Sequence, residues 1–365
     1  MHAPTPFTFM HWAKTWVGRL PYCLGASGVP APSPEEFPPV VSAYAGANYY
    51  GTSGLREAIA TAYGAGIDSV LVSAGTSLAN YTALTVLAGA GDRILVEAPT
   101  YPILEEIPRY HGARVERLPR RPEEGWRPSL AEIRRRSGQG DRVAAIVLTR
   151  LHNPSGVDLD AAYLAELADL AEERDFLVLL DEVFLDFLPD AVPGHRFSPR
   201  FLTTASLTKV YGFGALRVGW ILAEPEILRP MKEFSFYLAV DGALPSQATA
   251  VRVLENRARF RERACALAEA GRRCVDEWVA AREDVSWTLP AGGISGFVRF
   301  HGRSETARFA ARLREKYEVN IAEGEFFGMP GWARLSFGLP REKLIEALDR
   351  IGRALDEPDA HAAES

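Results

Sequence analysis

The residue best suited to covalent chemistry is Lys209, in the stretch SLTKVYGFGALRVGW at positions 206–220. Only five of the 41 basic residues are lysine (Lys14, Lys209, Lys232, Lys316 and Lys343); the others are arginine. A chain that uses arginine almost everywhere keeps an amine here. An arginine stays protonated near neutral pH, whereas a lysine depressed by burial and cationic neighbours becomes a nucleophile. Other reactive or polar residues stand at the ends of apolar runs. VSAGTS ends in Gly75, Thr76 and Ser77 ahead of an apolar-faced helix. EAPTYP carries Tyr101, TRLHNPSG carries Asn153 and LLDEVF carries Asp181. Ser206 precedes Lys209 by three residues and Arg217 follows it by eight. Each of these alone also fits a structural role, as a cap, a turn or a strand end. Together they specify an anionic phosphate, a flat aromatic ring and an amine holding an aldehyde. Backbone N–H groups and hydroxyls at a helix start, with Ser206 and Arg217, suit the phosphate. Tyr101 suits the ring face, and a carboxylate and an amide suit its edge.

These residues need a scaffold that gathers them. From about residue 54 the pattern alternates. A helix over GLREAIATAYGAG and a strand over SVLVSAG come first, then a helix over TSLANYTALTVLAGAG. DRILVEAP, ARVERLP, RVAAIVLT, FLVLLDE, FLTTASL and RVGWILAEP follow as further apolar runs bounded by Gly, Pro or Asp, with helical segments between several of them, notably 158–174. Such continuous runs predict an α/β fold with a mostly parallel sheet of about seven strands, covered by helices on both faces. Ligands of such a sheet bind beyond the carboxyl ends of its strands.

After about residue 245 the texture changes. One long helix is expected over 246–282, strands near 285–288, 295–300 and 333–337, and helices near 304–317 and 341–355. The expected division is a segment 1–45, rich in proline and aromatics, that covers the body or joins the small domain; a large domain 46–245; a smaller α+β domain 246–357; and a disordered tail 358–365.

A hydrophobic content of 47% with 24% charged residues reads as globular, and the net charge of −6 argues against a nucleic-acid partner. Cys23, Cys265 and Cys274 have no metal-ligand spacing and fit a reduced, cytoplasmic setting. No histidine cluster or metal loop is present in the sequence, and no signal peptide or membrane span is expected.

With these pieces in this order, the chain resembles the class I/II aminotransferases, pyridoxal-phosphate enzymes of fold type I. The resemblance spans about residues 40–340 and rests on YYGTSGLREAIA, VSAGTS, PTYP, HNPSG, DEVF, SLTKVYGFGALRVGW and ARLSFG. It implies pyridoxal 5′-phosphate as cofactor, with Lys209 as the Schiff-base lysine and proton carrier. It implies Asp181 at the pyridine nitrogen, Asn153 at the ring hydroxyl oxygen and Tyr101 on the ring. Gly75, Thr76, Ser77, Ser206 and Arg217 fall at the phosphate, and Arg334 at the substrate carboxylate. Gly25 and Gly28, in LGASGVP, fall in the segment near the substrate. Tyr49 or Tyr50 would reach the phosphate of a neighbouring subunit in a homodimer with shared sites. One departure from the family pattern is Phe184, in DEVF, where a tyrosine is usual.

The expected activity is transamination between an L-amino acid and a 2-oxo acid by a ping-pong cycle. Decarboxylases, cyclases and lyases of the same fold would use the same residues. A transcriptional regulator with such a domain would need an added helix-turn-helix, and the 45 residues ahead of the match show no helix pair.

Overall fold

The computed structural model describes residues 5–40 and 48–357. The boundary expected at 45/46 and the tail 358–365 lie outside the described residues. Helix α1 (Thr8–Trp16) comes first, then a two-residue strand β1 (Tyr22–Cys23). Helix α2 (Ser53–Tyr63) starts where the Thr52 hydroxyl accepts from the Leu55 N–H at 3.4 Å, and it stops at Gly64 in a left-handed conformation. Strand and helix then alternate through β2 (Val70–Ser73), α3 (Thr76–Leu87), β3 (Arg93–Ala98), α4 (Ile103–Tyr110), β4 (Arg114–Pro119), α5 (Leu130–Ser137), β5 (Val143–Thr149), α6 (Ala161–Arg174) and β6 (Leu177–Asp181). Strands β7 (Phe201–Ser206) and β8 (Gly219–Leu222) and helix α7 (Pro225–Leu238) complete this part.

The seven strands β2–β8 form one sheet in the order β2-β8-β7-β6-β5-β3-β4. Strand β8 is antiparallel to β2 and β7, and the remaining pairs are parallel. Side chains alternate between two buried faces, which is why the strands read as unbroken apolar runs. Ile94, Val96, Leu179 and Leu202 pack on one face with Leu84 of α3, Leu104 of α4 and Met231 of α7. Leu95, Val178, Leu180 and Phe201 pack on the other with Ile133 of α5 and Leu164 and Leu167 of α6.

The rest of the chain holds α8 (Leu244–Glu255), α9 (Arg257–Ala280), β9 (Val285–Trp287), β10 (Ser295–Phe300), α10 (Thr306–Tyr317), β11 (Val319–Asn320), β12 (Ala322–Glu323), β13 (Trp332–Ser336) and α11 (Arg341–Asp356). An antiparallel sheet runs β12-β13-β10-β9. Where one helix was expected over 246–282, there are two, broken at Asn256. At the break Asn256 has φ −101° and ψ 21°, and both its N–H (3.1 Å) and its side-chain amide (2.8 Å) donate to the Arg252 carbonyl. In the N-terminal segment, β1 pairs in parallel with β11 as a separate two-stranded sheet, and Phe9 and Trp12 of α1 pack in a cluster with Trp126, Phe297 and Trp332.

Candidate active site

The strand order explains how distant residues meet. Parallel strands β3, β5, β6 and β7 deliver the residues after Ala98, Thr149, Asp181 and Ser206 to one edge. Antiparallel β8 starts where they end, so Arg217, just before it, arrives at the same edge. A cavity of about 920 Å³ opens there. It is lined by Thr76, Ser77, Tyr101, Asn153, Asp181, Ser206, Lys209 and Arg217 from the large sheet's edge, and by Arg334 from β13. Gly25 and Gly28 line it too. A Cβ on Gly28 would touch the Lys209 backbone at 3.4 Å, and the Lys209 carbonyl accepts from the Val29 N–H at 2.9 Å. Tyr49 and Tyr50 do not line it: Tyr49 is 68% exposed and the Tyr50 ring packs on Phe236.

One end of the cavity is built for an anion. Helix α3 starts there without a side-chain cap, so its first N–H groups are free of one. The Thr76 hydroxyl is buried with no hydrogen-bond partner. Gly75 has φ +88°, and a Cβ there would collide with the Arg217 guanidinium, so the glycine lets that cation lie against the helix start. Arg217 is steadied by the carbonyls of Ala74 (2.9 Å) and Gly214 (3.2 Å) rather than by a carboxylate.

The other end holds the titratable groups. Burial pushes the Asp181 carboxyl up to about 6, opposed by hydrogen bonds from Asn80 and the Val183 N–H and by the charge of Lys209. Burial, with the charges of Arg334 and Arg217, brings the Lys209 amine down to about 8, against the pull of Asp181. The amine donates to the Ser27 hydroxyl at 2.7 Å. Burial also holds Tyr101 at about 12, so its hydroxyl stays protonated.

Arg334 is 1% exposed and its charge meets no carboxylate in an ion pair among the described residues. Its Nη1 donates to Asn153 Oδ1 at 2.9 Å, its Nη2 to the Gly25 carbonyl at 3.4 Å, and its Nε has no acceptor. The rings of Phe9 and Phe327 stand 5.5 Å from the guanidinium. Since a guanidinium only donates, Asn153 must turn its oxygen to Arg334, which leaves the amide NH₂ as its remaining polar group.

Several residues of the site carry no signal in the sequence. Ser27 sits between small residues. Asn80 lies in an apolar helix, and Thr149 is the last residue of an ordinary strand. Phe9, Met10, Ala13 and Lys14 of α1, with Val17 just after it, line the cavity. Phe184 is buried and lines it, with no hydroxyl to offer. Tyr211, the other hydroxyl near this motif, is committed elsewhere: it donates to Asp186 at 2.6 Å beside Tyr63 and Arg257.

The "Aminotransferase class I and II" family model matches residues 44–351. Capreomycidine synthase of Streptomyces vinaceus is 31% identical over 313 residues, covering 84% of this chain and 79% of that protein. Arginine–pyruvate transaminase AruH of Pseudomonas aeruginosa is 30% identical over 351 residues, covering 90% and 88%. The solved structure of the PLP-dependent cyclase OrfR superposes with a TM-score of 0.85 at 27% identity, covering 97% of this chain and 98% of that one. The seven-stranded sheet and its helical layers are those of fold type I pyridoxal-phosphate enzymes. The cavity fits that cofactor: the orphaned Thr76 hydroxyl, the uncapped start of α3 and the Arg217 guanidinium suit its phosphate, and a buried amine and carboxylate suit its aldehyde and ring nitrogen. The chain belongs to the class I and II aminotransferase family, enzymes whose cofactor is pyridoxal 5′-phosphate.

Proposed function

We propose that this enzyme exchanges an amino group between an L-amino acid and a 2-oxo acid, one substrate following the other at a single site. The observation that carries this reading is Arg334. A buried guanidinium with no carboxylate partner faces the cavity that also holds the Lys209 amine. That pairing suits a substrate with a carboxylate beside the carbon to be deprotonated.

Gly75 makes room at the start of α3, where Thr76 and Ser77, with Ser206 and Arg217, would hold the cofactor's phosphate. Tyr101 would cover its ring, Asn153 would donate from its NH₂ to the ring hydroxyl oxygen, and Asp181 would keep a proton at the ring nitrogen. When bound, the cofactor supplies an electron sink for the electrons left at the substrate α-carbon. Lys209 Nζ would hold the cofactor at its aldehyde carbon, and as a free amine it would take the proton from the substrate α-carbon as general base. Arg334 would clamp the substrate carboxylate with two parallel N–H donors, and Gly28 lies beside Lys209 next to the Val29 N–H that donates to the Lys209 carbonyl. Helix α1 excludes water and faces the substrate side chain. A homodimer and a cytoplasmic setting belong to the same reading. Exposed Tyr49, Tyr237 and Val240 support an interface through which Tyr49 or Tyr50 reaches the neighbouring phosphate. Three cysteines, all unpaired, support the reducing compartment.

A second reading is a cyclase or lyase, favoured by the 31% identity to capreomycidine synthase. Both readings share every step through removal of the α-proton. Incubation with a panel of amino acids, with assays for 2-oxo acid, ammonia and carbon dioxide, separates them. Transamination requires stoichiometric 2-oxo acid and the amine form of the cofactor. Substrate consumption with neither would sink the reading.

Phe184 bears on the proton at Lys209 Nζ. In the loaded protein Asn153 would be the one family-expected side-chain donor left to the ring hydroxyl oxygen, since a phenyl ring donates nothing and Tyr211 is bound to Asp186. A second donor would stabilise that oxygen's negative charge when the proton leaves, so Nζ would release it at lower pH. Phe184→Tyr is expected to lower the pH midpoint of the cofactor's absorbance change by about one unit, the worth of one hydrogen bond. An unchanged or raised midpoint with the cofactor still bound would overturn this account.

A further inference from the structure

Asn80 is a buried polar residue of the cavity that neither the motifs nor the proposed steps use. It lies in the second turn of α3 and is 1% exposed. Its Nδ2 donates to Asp181 Oδ2 at 2.8 Å. Its Oδ1 accepts from the Thr204 hydroxyl at 2.6 Å, and Thr204 is itself fully buried. A carboxylate only accepts, so the NH₂ must face Asp181 and the carbonyl must face Thr204. The orientation of this amide is therefore dictated by its partners. Thr204 is also the residue of β7 paired in register with Asp181 of β6, so three elements of the fold converge on one carboxylate.

The other Asp181 oxygen accepts from the Val183 N–H at 3.1 Å. The charged neighbour that acts on Asp181 is Lys209, and the Tyr101 phenol nearby stays protonated. The adjacent Glu182 turns away, toward Arg150 and the Gly194 N–H. Burial favours the neutral form of Asp181, and the Asn80 hydrogen bond is the largest influence opposing it.

We propose that Asn80, oriented by Thr204, decides where the proton between Asp181 and the cofactor's ring nitrogen resides, holding it on the nitrogen. The inference rests on the reading that Asp181 faces that nitrogen. Asn80 is a positioning residue acting through Asp181. Remove its N–H donor and the carboxylate becomes the better base of the pair. The proton then moves toward Asp181 and the ring loses its positive charge. No atom is gained or lost, because the proton only changes its place along one hydrogen bond.

The test uses pyridoxal 5′-phosphate labelled with ¹⁵N in the ring, bound to the full-length protein at neutral pH. The wild-type resonance should lie at the pyridinium position. Asn80→Leu should move it toward neutral pyridine, and Thr204→Val should move it the same way by less. Asp181→Asn is the control for the underlying reading and should carry the resonance to the neutral position. A second readout is affinity. Asn80→Leu should weaken pyridoxal phosphate about tenfold, the worth of one charge-assisted hydrogen bond. It should leave unchanged the binding of the 1-deaza analogue, in which C–H replaces the ring nitrogen. If Asp181→Asn leaves the resonance in place, the reading of Asp181 fails. If Asp181→Asn moves it while Asn80→Leu and Thr204→Val do not, the role of Asn80 fails. Equal weakening for both cofactors would mark Asn80 as merely structural and would also overturn the proposal. Should Asn80→Leu not fold, Thr204→Val decides by the same resonance.

Discussion

Lys209→Ala is expected to give a protein that binds pyridoxal phosphate without covalent attachment and turns over at least about four orders of magnitude more slowly. Two functions are lost together: the covalent link to the cofactor and the base that takes the substrate α-proton. Nothing nearby replaces them. The cations whose charges act on Lys209 are Arg334 and Arg217, and a guanidinium does not give up its proton. Those same cations, added to burial, bring the Lys209 amine to about 8. Cofactor loading of the wild type should therefore accelerate as the pH rises through about 8, well below the range of a free lysine. Phosphate contacts should persist in the variant, so it should still retain the cofactor on gel filtration. Borohydride reduction of the loaded wild type should fix the label to the peptide carrying Lys209. The competitor worth watching is Lys14, which also lines the cavity but is exposed on α1. Label recovered on Lys14, Lys232, Lys316 or Lys343 would falsify the assignment.

Arg334→Ala should cost about 2–5 kcal/mol in kcat/KM for amino acids, the range for truncating one partner of a buried, hydrogen-bonded charge pair. Burial already pushes this guanidinium down to about 10, which reflects a charge held without a counter-ion. A substrate carboxylate would supply that counter-ion and an acceptor for the Nε. The loss has a second component, because Arg334 Nη1 is what orients the Asn153 amide. Arg334→Lys keeps the charge but not the planar fork, so its loss should fall between wild type and Arg334→Ala. Amines that lack a carboxylate should react nearly as well with the variant as with the wild type. Equal losses for amino acids and such amines would show that Arg334 only supports the fold.

Much of this was legible in the chain because of where a parallel sheet puts its polar residues. Strands buried on both faces read as unbroken apolar runs, and their chemistry is pushed to the ends, where Tyr101, Asn153, Asp181 and Lys209 stand. The scarcity of lysine made Lys209 conspicuous. The break at Asn256 leaves no mark in the sequence, because the Arg/Glu/Ala pattern continues across it.

What only the tertiary structure decided is which of these residues face one another. The bond from Asn80 to Asp181 joins positions 101 apart, and that from Arg334 to Asn153 spans 181. Ser27 meets Lys209 across 182 residues, through a proline-rich segment with no period to follow. The course of α1 over the cavity is equally silent in its own residues. Periodicity reports a segment's backbone and its buried side, properties set by near neighbours. Pairing across the sheet depends on strand order, and the direction of β8 alone brings Arg217 to the edge where Ser206 ends. The sequence by itself therefore determined the kinds of groups present and the edge they occupy. The tertiary contacts decided their partners, the sense of each amide and the protonation of the amine, because all three depend on atoms supplied by remote segments.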